Sequence, residues 1–89
     1  MFNIGDRVRL LENHPSGNED LVAGASGIVC YIDRYSVGVC WDYSIKSGHD
    51  CYGNCRYGYG WLVNADDIEL DFAISIEPPS EMDFLEMIG

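Results

Sequence analysis

Between Ile4 and Leu70 the apolar residues come only in short runs, each cut by glycine or by a cluster of Asn, Asp and Ser. No stretch repeats every three to four residues for long enough to build a core helix, so the pattern dictates strands. Gly5-Asp6 is a turn, and Val8 and Leu10 then alternate with Arg7 and Arg9, giving one apolar and one charged face. A second run, Ile28 to Ile32, and a third, Val37 to Asp42, flank the polar turn 33–36 and are expected to pair as an antiparallel hairpin. Pairing Tyr31 with Val39 would set Val29 against Trp41 on the apolar face and Cys30 against Cys40 on the other. Trp61-Leu62-Val63 is a further strand, Asn64 to Asp67 suits one tight helical turn, and Ile68 to Leu70 a last short strand. Trp41 and Trp61 both occupy apolar-in positions and are assigned to the core.

Three stretches resist this reading. The segment from His14 to about Ala25 opens with the turn formers His14-Pro15-Ser16-Gly17-Asn18 and is long for a hairpin loop, a place where function often resides. Residues 43–60 contain Gly48, Gly53, Gly58 and Gly60 with Tyr43, Tyr52, Tyr57 and Tyr59, too much glycine for a helix and too little alternation for a strand. They are expected to form an extended but structured loop. After residue 70 the character changes: 71–89 carries five acids and no base. An edge strand over 73–77 is expected there, then a stop at Pro78-Pro79 and a short acidic helix over 81–88. The domain is therefore read as 1–70, with 71–89 as an acidic extension.

Charge narrows the partners. Fifteen acidic residues face five basic ones, a formal net charge of −10 in 89 residues. Nucleic-acid affinity comes mainly from neutralising phosphates with Lys and Arg, so direct nucleic-acid binding is disfavoured, and anionic membranes with it. A protein with a basic surface is the natural electrostatic partner, although the same charge also serves solubility alone. No charged-then-apolar leader and no apolar run near membrane-spanning length is present, so a cytoplasmic, reducing location is expected.

Gly5-Asp6-Arg7-Val8-Arg9-Leu10, Gly24-Ala25-Ser26-Gly27-Ile28-Val29 and Gly38-Val39-Cys40-Trp41-Asp42 together resemble the opening of KOW-type and Mind bomb-type SH3-like barrels. The run from Gly60 to Leu70 is similar to the strand, one-turn helix and final strand that close many SH3 folds. A Gly-His-Asp…Cys…Gly-Trp-x-Val segment also resembles small uncharacterised bacterial and phage proteins. The resemblance covers residues 2–70 and implies an all-β, SH3-like five-stranded barrel. It implies no particular role, since such barrels host many. The chain lacks the Ala-Leu-Tyr-Asp-Tyr-like strand of proline-peptide-binding SH3 domains, and the basic contact surface of nucleic-acid-binding KOW modules.

The candidate site residues are few. His49, Cys51 and Cys55 offer three zinc-type donors on one loop, with His14, Cys30, Cys40 or Asp50 as a fourth; the alternative is that they only hold the loop by packing. Cys30 and Cys40 could form a cross-strand disulfide if oxidised. A cysteine nucleophile would need a base and an oxyanion site, and two histidines leave little to build them from, so no catalysis is expected. Tyr43, Tyr52, Tyr57 and Tyr59 are either a rigid aromatic contact surface or a cover for one end of the barrel. Phe84 and Leu85 belong to the acidic tail, which would dock on a partner, on the barrel, or across a homodimer. Three readings follow: a non-enzymatic protein-binding module, an acidic inhibitor that mimics nucleic acid, and a zinc-stabilised structural module. No cofactor is required apart from that zinc.

Overall fold

The structure, a computed structural model, describes residues 1–71. They form an all-β domain with five antiparallel strands: β1 (Arg7–Leu10), β2 (Ser26–Ile32), β3 (Val37–Trp41), β4 (Gly60–Val63) and β5 (Ile68–Leu70). The spatial order is β4-β3-β2-β1-β5, a single sheet. Two short 3-10 turns, Pro15–Gly17 and Ala65–Asp67, are its only helical elements among the described residues. The expected edge strand 73–77 and helix 81–88 lie outside the described residues, as do Phe84 and Leu85.

Alternation in β1 builds the inner face. Val8 and Leu10 are buried beside Val29, Val39, Trp41, Val63 and Ile68, while Arg7 and Arg9 point the other way and are half-buried. Arg9 is directly opposite Glu69 and bonds to its carboxylate, and Arg7 pairs with Asp42. Two of the five basic side chains are thus neutralised within the sheet, which leaves the acidic excess on the surface largely unanswered. At the end of β4, Asn64 leads into the predicted single turn, where the Asp67 carboxylate accepts the Asn64 backbone N–H at 3.2 Å. The chain then returns as β5 against β1.

The β2–β3 hairpin forms, but not in the expected register. Ile28 is opposite Cys40, Val29 opposite Val39, and Tyr31 opposite Gly38, with a bulge between Val29 and Tyr31. The cause is the turn. Asp33 Oδ1 accepts the backbone N–H groups of Tyr35 and Ser36, each at 2.8 Å, which closes the loop tightly after Ile32. These bonds and the Tyr31 hydroxyl hold the Asp33 carboxyl below its ordinary range, the hydroxyl contributing most. The tight loop leaves one residue over, and the bulge at Cys30 absorbs it. Because the shift below the bulge is two residues, Val29 and Trp41 keep the same face, but Cys30 does not oppose Cys40.

The tryptophans divide. Trp41 is buried at the centre of the core, whereas Trp61, opposite Val39 on edge strand β4, is only half-buried and packs against the core margin. Its indole N–H reaches the Pro15 carbonyl at 3.4 Å, and its ring stacks on His49 with centroids 5.5 Å apart. Loop residues complete the core, Ala25 among them. Leu21 from the 11–25 loop and Ile45 from the 42–59 loop are both buried, and the Asn18 side chain ties these loops together by donating to the Lys46 carbonyl at 3.2 Å.

Candidate functional site

The face of the sheet opposite Trp41 is where the chemistry-bearing residues meet. Gly38, Cys40, Gly60 and Leu62 lie on that face of β3 and β4, next to Tyr31 of β2 and the bulged Cys30. The 42–59 loop places Ile45 in the core, then brings Cys51 over this face, held by bonds within the loop and to strands β3 and β4. Ile45 N–H donates to the Gly58 carbonyl at 2.8 Å, His49 N–H to the Gly60 carbonyl at 3.0 Å, and Trp41 N–H to the Tyr59 carbonyl at 2.9 Å. Such a ladder is the structured loop the sequence predicts.

Cys51 is the centre of this arrangement and is completely buried. The chain turns sharply there, with three successive residues in the left-handed region: Cys51 (φ 48°), Tyr52 (φ 61°) and Gly53 (φ 86°). Two of them are not glycine, so the conformation costs of order 1–3 kcal/mol per residue and persists only because the surroundings impose it. Three bonds do so. Cys51 N–H donates to His49 Nδ1 at 3.0 Å, Asn54 Nδ2 donates to the Cys51 carbonyl at 2.9 Å, and Cys55 N–H donates to the Asp50 carbonyl at 2.9 Å. The missing side chains beneath are equally necessary. A Cβ on Gly60 would stand 2.7 Å from Cys51 Sγ, and one on Gly38 would stand 3.1 Å from it.

This turn delivers Cys51 to the strands that carry Cys30 and Cys40. Cys51 Sγ packs over Gly38 and Gly60, Cys30 Sγ donates to the Gly38 carbonyl at 3.6 Å, and Cys40 pairs with Gly60 across the strands. All four are free thiols. Burial pushes Cys30 up to about 12 and Cys51 to about 11, and raises Cys55 as well, with most of the neighbouring thiols adding to the effect. Thiols so placed stay protonated near neutral pH and are poor nucleophiles. Among the described residues, no group of three or more His, Cys, Asp or Glu side chains could hold a metal ion.

The sequence-predicted site residues therefore separate. Cys51 and Cys55 share one turn, but His49 turns its ring to Trp61 and spends Nδ1 on the Cys51 amide. His14 sits in the other loop in a left-handed conformation, and Asp50 uses its carbonyl on Asn54 and Cys55. The four tyrosines divide too. Tyr43 donates its hydroxyl to the Asp20 carbonyl at 2.9 Å, and Tyr59 lies under the Arg56 guanidinium, 5.0 Å from the ring centroid. Tyr52 and Tyr57 project into solvent, 71% and 78% exposed. Tyr52 meets Tyr31 with ring centroids 4.8 Å apart, and beside it a shallow pocket of about 220 Å³ is lined by His49, Asp50, Tyr52 and Leu62. Sequence reasoning did not include Tyr31 or Leu62 in the site. Their signal was the apolar residue on the polar face of a strand, legible only once the register was known.

Among the described residues no helix is long and apolar enough to cross a membrane. The chain gives no match to any protein-family model, curated protein or solved structure against which it was compared.

Proposed function

We propose that this protein is a non-enzymatic binding module that engages a basic partner protein through the face of the sheet on which Cys51 packs. The observation that carries the reading is the aromatic pair of Tyr31 and Tyr52, the latter 71% exposed, set on a loop that the sheet and buried Cys51 hold rigid. Tyrosines presented this way give large contact area at little entropic cost, and clusters of them act as binding hot spots. The pocket beside Tyr52 adds His49 and Asp50 as polar anchors next to Leu62. The acidic excess supplies attraction to a basic rim and speeds encounter. Return of β5 to β1 after a 3-10 turn favours closure of the SH3-like kind, and four free thiols suit a reducing, cytoplasmic setting.

Affinity capture from host extract with the full chain, run in parallel with Tyr52→Ala and Tyr57→Ala, tests this. A captured protein should survive moderate salt and bind the Tyr52→Ala variant at least about 30-fold more weakly, the scale of a 2 kcal/mol hot spot. Binding that ignores both tyrosines and collapses as salt is raised would instead favour the second reading, an acidic mimic of nucleic acid, for which the net charge of −10 speaks.

A further inference from the structure

We propose that the acidic segment 81–88 docks on its own domain, with Phe84 and Leu85 at the apolar groove beside the β2–β3 turn and its carboxylates facing Arg34. The groove has a volume of about 170 Å³, and its lining includes Phe2, Ile32, Tyr35 and Val37 together with Asp33 and Arg34. Small-molecule sites run to about 300–1,000 Å³, so this space suits an inserted side chain better than a free ligand. Ile32 is 41% exposed and Tyr35 78%, which leaves apolar surface uncovered at this end of the sheet.

Charge selects the occupant. Of the five basic side chains, Arg7 and Arg9 are paired with carboxylates and Arg56 lies over Tyr59. Arg34 is exposed and has no ion pair among the described residues. The neighbouring Asp33 carboxylate is committed to the turn, where it accepts the Tyr31 hydroxyl and the Tyr35 and Ser36 N–H groups. Segment 81–88 carries Glu81, Asp83 and Glu86 among its apolar residues and no base, so it offers both halves of the match. The cavity beside Trp61 sets Glu19 and Asp20 against one Lys46, and the pocket beside Tyr52 holds Asp50, so both suit an acidic segment less well.

The path is short. Asp71 N–H donates to the Arg7 carbonyl at 2.9 Å, and Arg7 is opposite Ile28 of β2. Both β5 and β2 run antiparallel to β1, so the chain leaves β5 heading along β2 toward Ile32. From Ile28 to Ile32 is about 13 Å at the rise of a strand, whereas residues 72–80 can span about 30 Å. A tether of that length gives an effective concentration in the millimolar range, which favours the chain's own groove over that of a second copy. The groove is separate from the Tyr31–Tyr52 pair, so the docking stands or falls independently of the partner proposed there.

The test is NMR on the full-length, reduced chain with labelled methyl groups, combined with chymotrypsin cleavage after Phe84 and Leu85 read by mass spectrometry. Nuclear Overhauser contacts should join Leu85 to Ile32 and Val37 and persist on dilution. Arg34→Glu should speed cleavage about 2- to 5-fold, the scale of a lost surface ion pair, whereas Arg34→Lys should leave it slow. Tyr35→Ala should speed it about 5-fold or more through lost apolar contact. Arg34 and Tyr35 are both exposed, so these changes leave the fold intact. Absence of the contacts, cleavage indifferent to Arg34→Glu, or contacts found only between labelled and unlabelled chains, which would place the segment on a second copy, overturns the proposal.

Discussion

Trp41→Ala is expected to remove about a third or more of the domain's stability, and to unfold it where that stability is at the low end of its range. Trp41 is 1% exposed and sits on β3, between β2 and β4, where no edge offers relaxation. Removing a buried aromatic to Ala costs about 3–5 kcal/mol, through lost burial and the cavity left behind. A domain of this size holds only about 4–11 kcal/mol at the usual 0.05–0.15 kcal/mol per residue. Trp41→Phe should be far milder. The Trp41 indole N–H is buried without an acceptor among the described residues, so the smaller ring removes an unsatisfied donor together with some packing. Urea titration followed by far-UV circular dichroism checks both variants. A loss below about 1 kcal/mol for Trp41→Ala would mean that the inner face is not the core.

Gly60→Ala is expected to cost at the upper end of the 1–3 kcal/mol typical of overpacking. The added methyl would lie 2.7 Å from Cys51 Sγ and 2.7 Å from the His49 carbonyl oxygen, and neither is the free end of a flexible side chain. Relief requires moving the loop away from β4, which would break the reciprocal pairing of His49 and Gly60. Gly53→Ala is the control. It has open space around its Cβ position and only the positive φ of 86° to oppose it, so it should cost about 1 kcal/mol. Equal losses in the two variants would show that the loop is not packed on the sheet as described. Thermal melts of the reduced protein separate the cases.

Strand existence was legible, and strand detail was not. Val8 and Leu10 alternate with arginines, and the runs around Val29, Val39 and Trp61 are β-branched or aromatic, so pattern alone located all five strands and the turn at Ala65. The register failed because it is set by the Asp33 side chain and absorbed by a bulge at Cys30, and neither leaves a periodic trace. Leu21 and Ile45 were hidden for a related reason: each is a single apolar residue within a polar loop, and only tertiary closure shows that it is a plug. The tyrosines could be counted but not sorted, since exposure of Tyr52 and Tyr57 against engagement of Tyr43 and Tyr59 depends on loop geometry. For the cysteines, local spacing suggested a loop trio with His49. The fold instead brings Cys51 to Gly38, whose carbonyl accepts from the Cys30 thiol far earlier in the chain.

The central claim is that the 42–59 loop is a rigid unit that places Ile45 in the core and packs Cys51 against the outer face of the sheet. Amide hydrogen exchange by NMR tests it directly. The N–H groups of Ile45, His49, Cys55 and Gly60, all bonded within that unit or between it and β4, should exchange nearly as slowly as Val29 N–H, which is bonded to the Asp6 carbonyl in the sheet. If those loop amides exchange at the rate of an unfolded chain while Val29 stays protected, the unit is not built, and the surface it is said to present does not exist.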